Sequence, residues 1–377
     1  MRKLFFIICW AIFISGCNDD DKPGYKPVID SIDFTAAADS SSKALINTFW
    51  SESQQYFVEN NYGGTGFQYW PQAHAIDVVT DAYIRTKDNY YKAYFDKWFN
   101  GVRKGNGDKW KNNFYDDMEW IALALFRMYK ATGEVKYKDA TIELWNFIKD
   151  GWNEAYAGGG IAWRTVEPYK KNACSNGPAC ILAARLYQET GDESYKEWAV
   201  KIYHWEKATL LQNDGAVLDH IDGRDNTLTN WKFTYNHGTF IGSAVELYKI
   251  FGNRTYLDDA VLTANFTIGS LVTNSVLKLE GSADCSTDND AHLFKGIFIR
   301  YFSELIQQDI DAAAKKRYLQ FVKYNTETLW TKGTLKNPLL FGPDWITKPG
   351  MKTTLKAMVS ACMLMETTAL LKNRNFL

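Results

Sequence analysis

Asp116 and Asp117 stand side by side in the stretch Asn113-Phe114-Tyr115-Asp116-Asp117-Met118-Glu119-Trp120, which runs into the apolar segment Ile121-Ala122-Leu123-Ala124. Asp in the first turn of a helix is a common structural signal, since it caps free N–H groups and complements the positive end of the dipole. Two features point past capping. The helix that follows is apolar on most sides, as a central helix must be, and Tyr115 and Trp120 flank the carboxylates behind a loop rich in Gly, Lys and Asn. Successive helical residues diverge by about 100°, so their carboxyl groups can lie about 5–5.5 Å apart, the separation of a retaining glycosidase pair. In such a pair one carboxylate attacks and the other serves as acid, then base. Repulsion between the two charges raises one pKa and keeps that carboxyl protonated.

Other candidates compete with structural roles. Trp163 follows Gly158-Gly159-Gly160 and suits either sugar stacking or core packing. Asn172 and Asn236 open helices, where capping competes with sugar binding. Asp219, in Gly215-Ala216-Val217-Leu218-Asp219, suits hydrogen bonding to sugar hydroxyls or loop capping, and Asp290 and Lys295 suit a sugar contact or a mutual ion pair. His74, His204, His220, His237 and His292 form no HxH or HExxH group, and Asp284, Asp288 and Asp290 lack the Gly and terminal Glu of a calcium loop. No required metal or cofactor is expected. No glycine-rich phosphate loop joins a strand to a helix.

The elements that must position these residues repeat along the chain. Arg127–Tyr137, Arg185–Tyr195 and Glu246–Tyr256 each end an apolar-periodic helix at a Gly and restart within a few residues. Helical periodicity predicts about twelve helices, starting near Asp39, Gln72, Asp88, Tyr115, Glu134, Asn172, Asp192, Asn236, Arg254, Asp290, Asp311 and Thr353. Six helical hairpins close into an all-α (α/α)6 toroid. Gly63-Gly64-Thr65-Gly66 and Gly158-Gly159-Gly160 are expected at its mouth. No domain boundary interrupts residues 42–377.

The N-terminus reads as an address. Arg2 and Lys3 precede the apolar run Leu4 to Ile14, too short to span a bilayer, and Ile14-Ser15-Gly16-Cys17 resembles a bacterial lipobox. Residues 1–16 are therefore expected to be a lipoprotein signal, with Cys17 lipidated. Asn18-Asp19-Asp20-Asp21 resembles the acidic export signal of Bacteroidetes-type surface lipoproteins, and residues 17–41 read as a polar tether. An outer-membrane, surface-exposed location follows as the expectation. The formal charge of −1 on 377 residues offers no field for nucleic acid, while 22 Tyr, 22 Phe and 14 Trp make the chain aromatic-rich. Cys174, Cys180, Cys285 and Cys362 are too few for a disulfide framework; Cys174 and Cys180 either pair or are buried thiols.

From about Asn47 to Lys372 the chain resembles glycoside hydrolase family 76, the bacterial endo-α-1,6-mannanases with fungal cell-wall transglycosylase relatives. Tyr115-Asp116-Asp117-x-x-Trp120 looks like its catalytic motif. Gly158-Gly-Gly-Ile-Ala-Trp163, Tyr169-Lys-Lys-Asn172, Tyr235-Asn236-His237-Gly238 and Asp290-x-x-x-Phe294-Lys295-Gly296 follow in order. The resemblance implies an (α/α)6 fold, Asp116 as nucleophile and Asp117 as acid/base. It also implies an α-1,6-mannan substrate, with Tyr235 among the binding residues and a monomer as the working unit. His237 departs from the pattern, where Gln is expected, and this puts local sugar contacts in doubt. A transglycosylase using the same pair and a non-catalytic glycan-binding lipoprotein are the alternatives.

Overall fold

The computed structural model describes residues 32–377. The signal segment, Cys17 and the tether as far as residue 31 lie outside the described residues. Twelve long helices and one short one follow in order. They are α1 (Phe34–Phe49), α2 (Tyr69–Thr86), the four-residue α3 (Asn89–Lys92), α4 (Phe95–Gly105), α5 (Tyr115–Thr132) and α6 (Val135–Ile148). Then come α7 (Ala173–Thr190), α8 (Glu193–Thr209), α9 (Thr234–Phe251), α10 (Arg254–Ser270), α11 (Ala291–Ile306), α12 (Ala312–Thr331) and α13 (Leu355–Asn373). Gly133, Gly191 and Gly252 end α5, α7 and α9 in the left-handed conformation, at φ 77°, 73° and 65°. That conformation is open to glycine without a Cβ penalty. Asp192 and Asn253 then cap the next helices through their side chains.

Burial sorts the helices into two layers. α7 is buried without a break from Ala173 to Ala184, and α13 from Leu355 to Ala369. A helix apolar on all sides belongs inside, one with a single stripe outside. α2, α5, α7, α9, α11 and α13 pack each against the next, and α13 returns to α2, so the inner ring closes. Small residues permit the approach: a Cβ on Gly238 of α9 would lie 2.6 Å from the Cα of Phe298 on α11. The outer helices, such as α8 with its stripe of Ala199, Ile202, Tyr203 and Trp205, face this ring. The architecture is the expected (α/α)6 toroid.

The two ends of the toroid differ. Inner helices pass to outer ones through short turns, at residues 87–88, 133–134, 191–192, 252–253 and 307–311. Outer helices return through long connections, at residues 50–68, 106–114, 149–172, 210–233, 271–290 and 332–354. These carry four small antiparallel sheets. β1 (Trp50–Ser51) pairs with β2 (Tyr56–Phe57), and β3 (Lys170–Asn172), β4 (His220–Asp222) and β5 (Thr227–Thr229) form one sheet in that order. β6 (Val272–Thr273) pairs with β7 (Val276–Leu277), and β8 (Thr334–Lys336) with β9 (Leu339–Phe341). Both glycine clusters lie on this end, as expected.

Two expectations need correction. α1 begins at Phe34, inside the expected tether, with Asp33 accepting from the N–H groups of Thr35 and Ala36. Its Ala37, Ala38, Ser41 and Ser42 are buried, so the folded domain starts before residue 42. The helix expected from Asp88 is divided into α3 and α4. The strands, two or three residues each, are too short for alternation to register. Cys174, Cys180, Cys285 and Cys362 are buried free thiols. No helix of the described residues is long and apolar enough to cross a membrane.

Candidate active site

Asp116 and Asp117 sit in the first turn of α5, whose N-cap is Phe114 and carries no side-chain cap bond. Neither therefore occupies the N-cap position. The N-termini of all six inner helices open on the long-connection end, so their positive dipole ends surround the pair. A short antiparallel pairing fixes the start of α5. Tyr115 N–H donates to Trp163 O at 2.9 Å, Thr165 N–H donates to Asn113 O at 2.9 Å, and Phe114 bridges Arg164. This brings the Trp163 indole N–H to 3.3 Å from Asp116 Oδ2. The Cys174 thiol, in the first turn of α7, reaches the same oxygen at 3.4 Å. Asp116 Oδ1 has no hydrogen-bond partner.

Both aspartates are half-buried, at the solvent-facing end of a helix whose next residues, Met118 to Phe126, are buried. Desolvation pushes Asp116 up to about 7, against the opposing effect of the Cys174 and Trp163 donors and the helix N–H groups. Desolvation raises Asp117 well above the usual carboxylate range, assisted by the charges of Asp116 and Asp290 and opposed by Lys356. Burial and the neighbouring Asp116 charge thus both favour the protonated form of Asp117. One turn deeper, Glu119 is buried with neither oxygen partnered. Burial, then the neighbouring carboxylates of Asp116, Glu206 and Asp117, hold it well above the ordinary range.

Two groups of side chains complete the cleft. On the Asp116 side, Asp219 Oδ1 accepts from Asn236 Nδ2 at 3.1 Å and its Oδ2 accepts from His220 Nδ1 at 2.7 Å. Asp219 O also receives the N–H of Ala173, tying this loop to the start of α7. Tyr235 stacks on Phe294 with ring centroids 3.9 Å apart. The Oδ1 atoms of Asn172 and Asn236 are buried without hydrogen-bond partners. On the Asp117 side, Lys356 in the first turn of α13 donates to Asp288 at 2.6 Å and Asp290 at 2.5 Å, and lies over the Trp70 ring. An ammonium thus occupies the place between those two carboxylates where a cation would be held. Gln68 also donates to Asp288, at 2.7 Å.

The fold therefore gathers Asp116, Asp117, Trp163, Asn172, Asp219, Tyr235, Asn236 and Asp290 at the mouth. It does not bring Lys295 there. Lys295 is buried in α11, donating to Pro343 O at 2.7 Å and lying over Trp345, and burial pulls its ammonium down to about 7. It does not pair with Asp290. Trp120 is buried against His74, centroids 4.8 Å apart, and Tyr115 packs under Gly151; both are packing residues rather than sugar platforms. Arg164 and Lys170 lie over the Trp163 ring, at 5.2 and 4.9 Å from its centroid. His237 is also internal. Its Nδ1–H donates to Phe233 O at 2.7 Å and its Nε2 accepts from Val217 N–H at 3.1 Å. Burial lowers it to about 4, so it stays neutral. Sequence reasoning missed Cys174, His220, Gln68, Asp288 and Lys356 as parts of the site. Among the described residues no group of three or more His, Cys, Asp or Glu side chains is arranged to hold a metal ion.

Residues 33–376 match the family model described as Glycosyl hydrolase family 76. A mannan endo-1,6-alpha-mannosidase, DCW1, of Candida glabrata is 31% identical over 175 residues, covering 43% of this chain and 38% of the fungal protein. The chain thus matches well under half the length of that relative. Among solved structures, an inactive variant of the α-1,6-mannanase GH76A of Salegentibacter sp. HEL1_6, with two adjacent aspartates changed to asparagine, is bound to α-1,6-mannotriose. It superposes with a TM-score of 0.86 at 40% identity, covering 90% of this chain and 100% of that one. The Lin0763 protein of Listeria innocua superposes with a TM-score of 0.83 at 35% identity, covering 91% and 99%.

Proposed function

The chain belongs to glycosyl hydrolase family 76, and from that premise we propose that it cleaves α-1,6-mannosidic linkages within mannan backbones, with retention of anomeric configuration. The observation that carries the mechanism is the asymmetry of the pair. Asp116 has one oxygen held by two donors and the other without a partner, while burial and the neighbouring Asp116 charge favour the protonated form of Asp117. The Asp116 carboxylate attacks the anomeric carbon and forms a glycosyl ester. The glycosidic C–O bond breaks, and the Asp117 proton passes to the leaving oxygen. Asp117, now a carboxylate, takes a proton from water as that water attacks the same carbon and releases Asp116. Asn172, Asn236 and Asp219 hold hydroxyls around the reacting sugar. The α-1,6-mannotriose and α-1,6-mannotetrose bound by the inactive Salegentibacter variants support the substrate class.

The test is NMR of the first products from unbranched α-1,6-mannan. Retained configuration is expected, and inverted configuration would remove Asp116 as nucleophile. The leader, the lipobox and the acidic run after it support a lipoprotein anchored through Cys17 at the outer membrane and exposed at the cell surface. Metabolic labelling with a fatty acid should mark the parent protein and not Cys17→Ala, and surface proteolysis of whole cells should remove it.

A further inference from the structure

The two carboxylates differ in what grips them. Asp116 Oδ2 takes two donors from different elements, the indole of Trp163 in the connection before α7 and the thiol of Cys174 in α7 itself. Cys174 is buried, so no water takes the place of the thiol's bond to Asp116.

We propose that Cys174 is a positioning residue for the nucleophile: its thiol, together with the Trp163 indole, holds Oδ2 of Asp116 and so fixes the orientation of the carboxylate, leaving Oδ1 without a partner. The choice of sulfur has a chemical consequence. An S–H group is a weak donor, so it orients the carboxylate while withdrawing little of its charge. A hydroxyl in the same place would grip harder and leave a poorer nucleophile. The kinetic part of this inference rests on Asp116 being the nucleophile; the hydrogen bond itself does not.

The experiment uses both parts. The S–H stretching band lies in an infrared window clear of other protein bands, and the difference between the parent and Cys174→Ala isolates that of Cys174. It should move to higher frequency when Asp116 is protonated and when Asp116→Asn weakens the acceptor. A band that ignores both changes would overturn the proposal. On α-1,6-mannan, Cys174→Ala should lower kcat about fivefold with KM nearly unchanged, and its acidic limb should move to higher pH. Cys174→Ser should recover kcat in part and move that limb below the parent's. Identical limbs in all three proteins, with melting temperatures alone changed, would make the thiol a space-filler and sink the idea. If the band responds to Asp116 but the parent leaves mannan uncut, the positioning contact stands and the proposed function falls.

Discussion

The two ends of the toroid treat charge in opposite ways. At the mouth, Asp116, Asp117 and Glu119 crowd one helical turn with few partners, and burial raises all three. At the opposite end, where the inner helices terminate, the buried charges form ion pairs. Arg127 meets Asp77 at 2.6 Å and also Asp81, Arg300 reaches Asp81 at 2.8 Å, and Arg185 joins Glu246 and Glu304 at 2.7 Å each. Arg85 holds Glu366 at 2.9 Å. These side chains line a cavity of about 690 Å³, and their guanidinium groups face the negative ends of the inner helices. Unmatched carboxylates are what displacement chemistry needs, and matched ones are what a closed ring needs. The lesson is a division of labour along one set of six helices.

The largest expected effect breaks chemistry alone. Asp116→Ala should reduce turnover by at least ~10³-fold on every substrate, since no glycosyl ester can form. Its melting temperature should not fall. Asp117→Ala should cripple mannan cleavage yet spare glycosylation by an activated aryl mannoside, with azide rescuing the second step. Equal residual activity in the two variants would return the pair to a structural role.

The reverse experiment is at the other end. Arg127→Met leaves Asp77 and Asp81 with only Arg300 and should cost about 3 kcal/mol in denaturant unfolding. At a temperature where the variant is folded, kcat on mannan should stay within about twofold of the parent. Lost activity with stability intact would mean that the two ends are coupled.

A pH series sharpens the contrast. Asp116 is raised to about 7 in the folded chain against about 4 unfolded. The unfolded state releases this proton first, so the penalty is absent below pH 4 and grows as pH rises toward 7. Asp116→Asn should therefore melt higher than the parent at pH 7.5, and the two should converge at pH 4. At the matched end the sign reverses. Against the pull of burial, Arg185 and Lys249 hold Glu246 down to about 2, and Arg127 and Arg300 hold Asp81 below its ordinary value. Their contribution is present above pH 4 and disappears as pH falls through those lowered values. Thermal scans from pH 2 to 8 on the parent and variant read both effects.

The smallest effect is expected at His237. It touches Phe233 and Val217 rather than the cleft, so His237→Gln should shift the melting temperature slightly and leave KM within about twofold.

Much of this was legible in the residues because its causes are local. Helix starts at Tyr115, Glu134, Asp192, Arg254 and Asp311 followed from apolar period and Gly stops, and they agree with the structure to within one residue. α1 was misplaced because its buried face is built from Ala and Ser, which read as tether. The Asp pair was visible since its members are adjacent. Its surroundings were not. Cys174 lies 58 positions from Asp116, and Lys356 lies 66 from Asp290; only ring closure brings them together. Lys295 misled because its spacing from Asp290 suggests a pair, whereas the rotation of α11 turns it inward toward Pro343.

Closure of the inner ring by α13 also has a meaning in time. Its Glu366 receives the Ser42 hydroxyl of α1 at 2.6 Å, and its Cys362 thiol lies 3.4 Å from Ser41 O, so α13 completes the socket of a helix made more than 300 residues earlier. Until α13 leaves the ribosome, α1 and α2 lack the face that α13 covers. Contacts spanning more than 300 positions close slowly, because loop entropy precedes their reward. A nascent chain that has not yet made α13 is therefore exposed to aggregation, and truncation within α13 should yield insoluble protein rather than a smaller folded one.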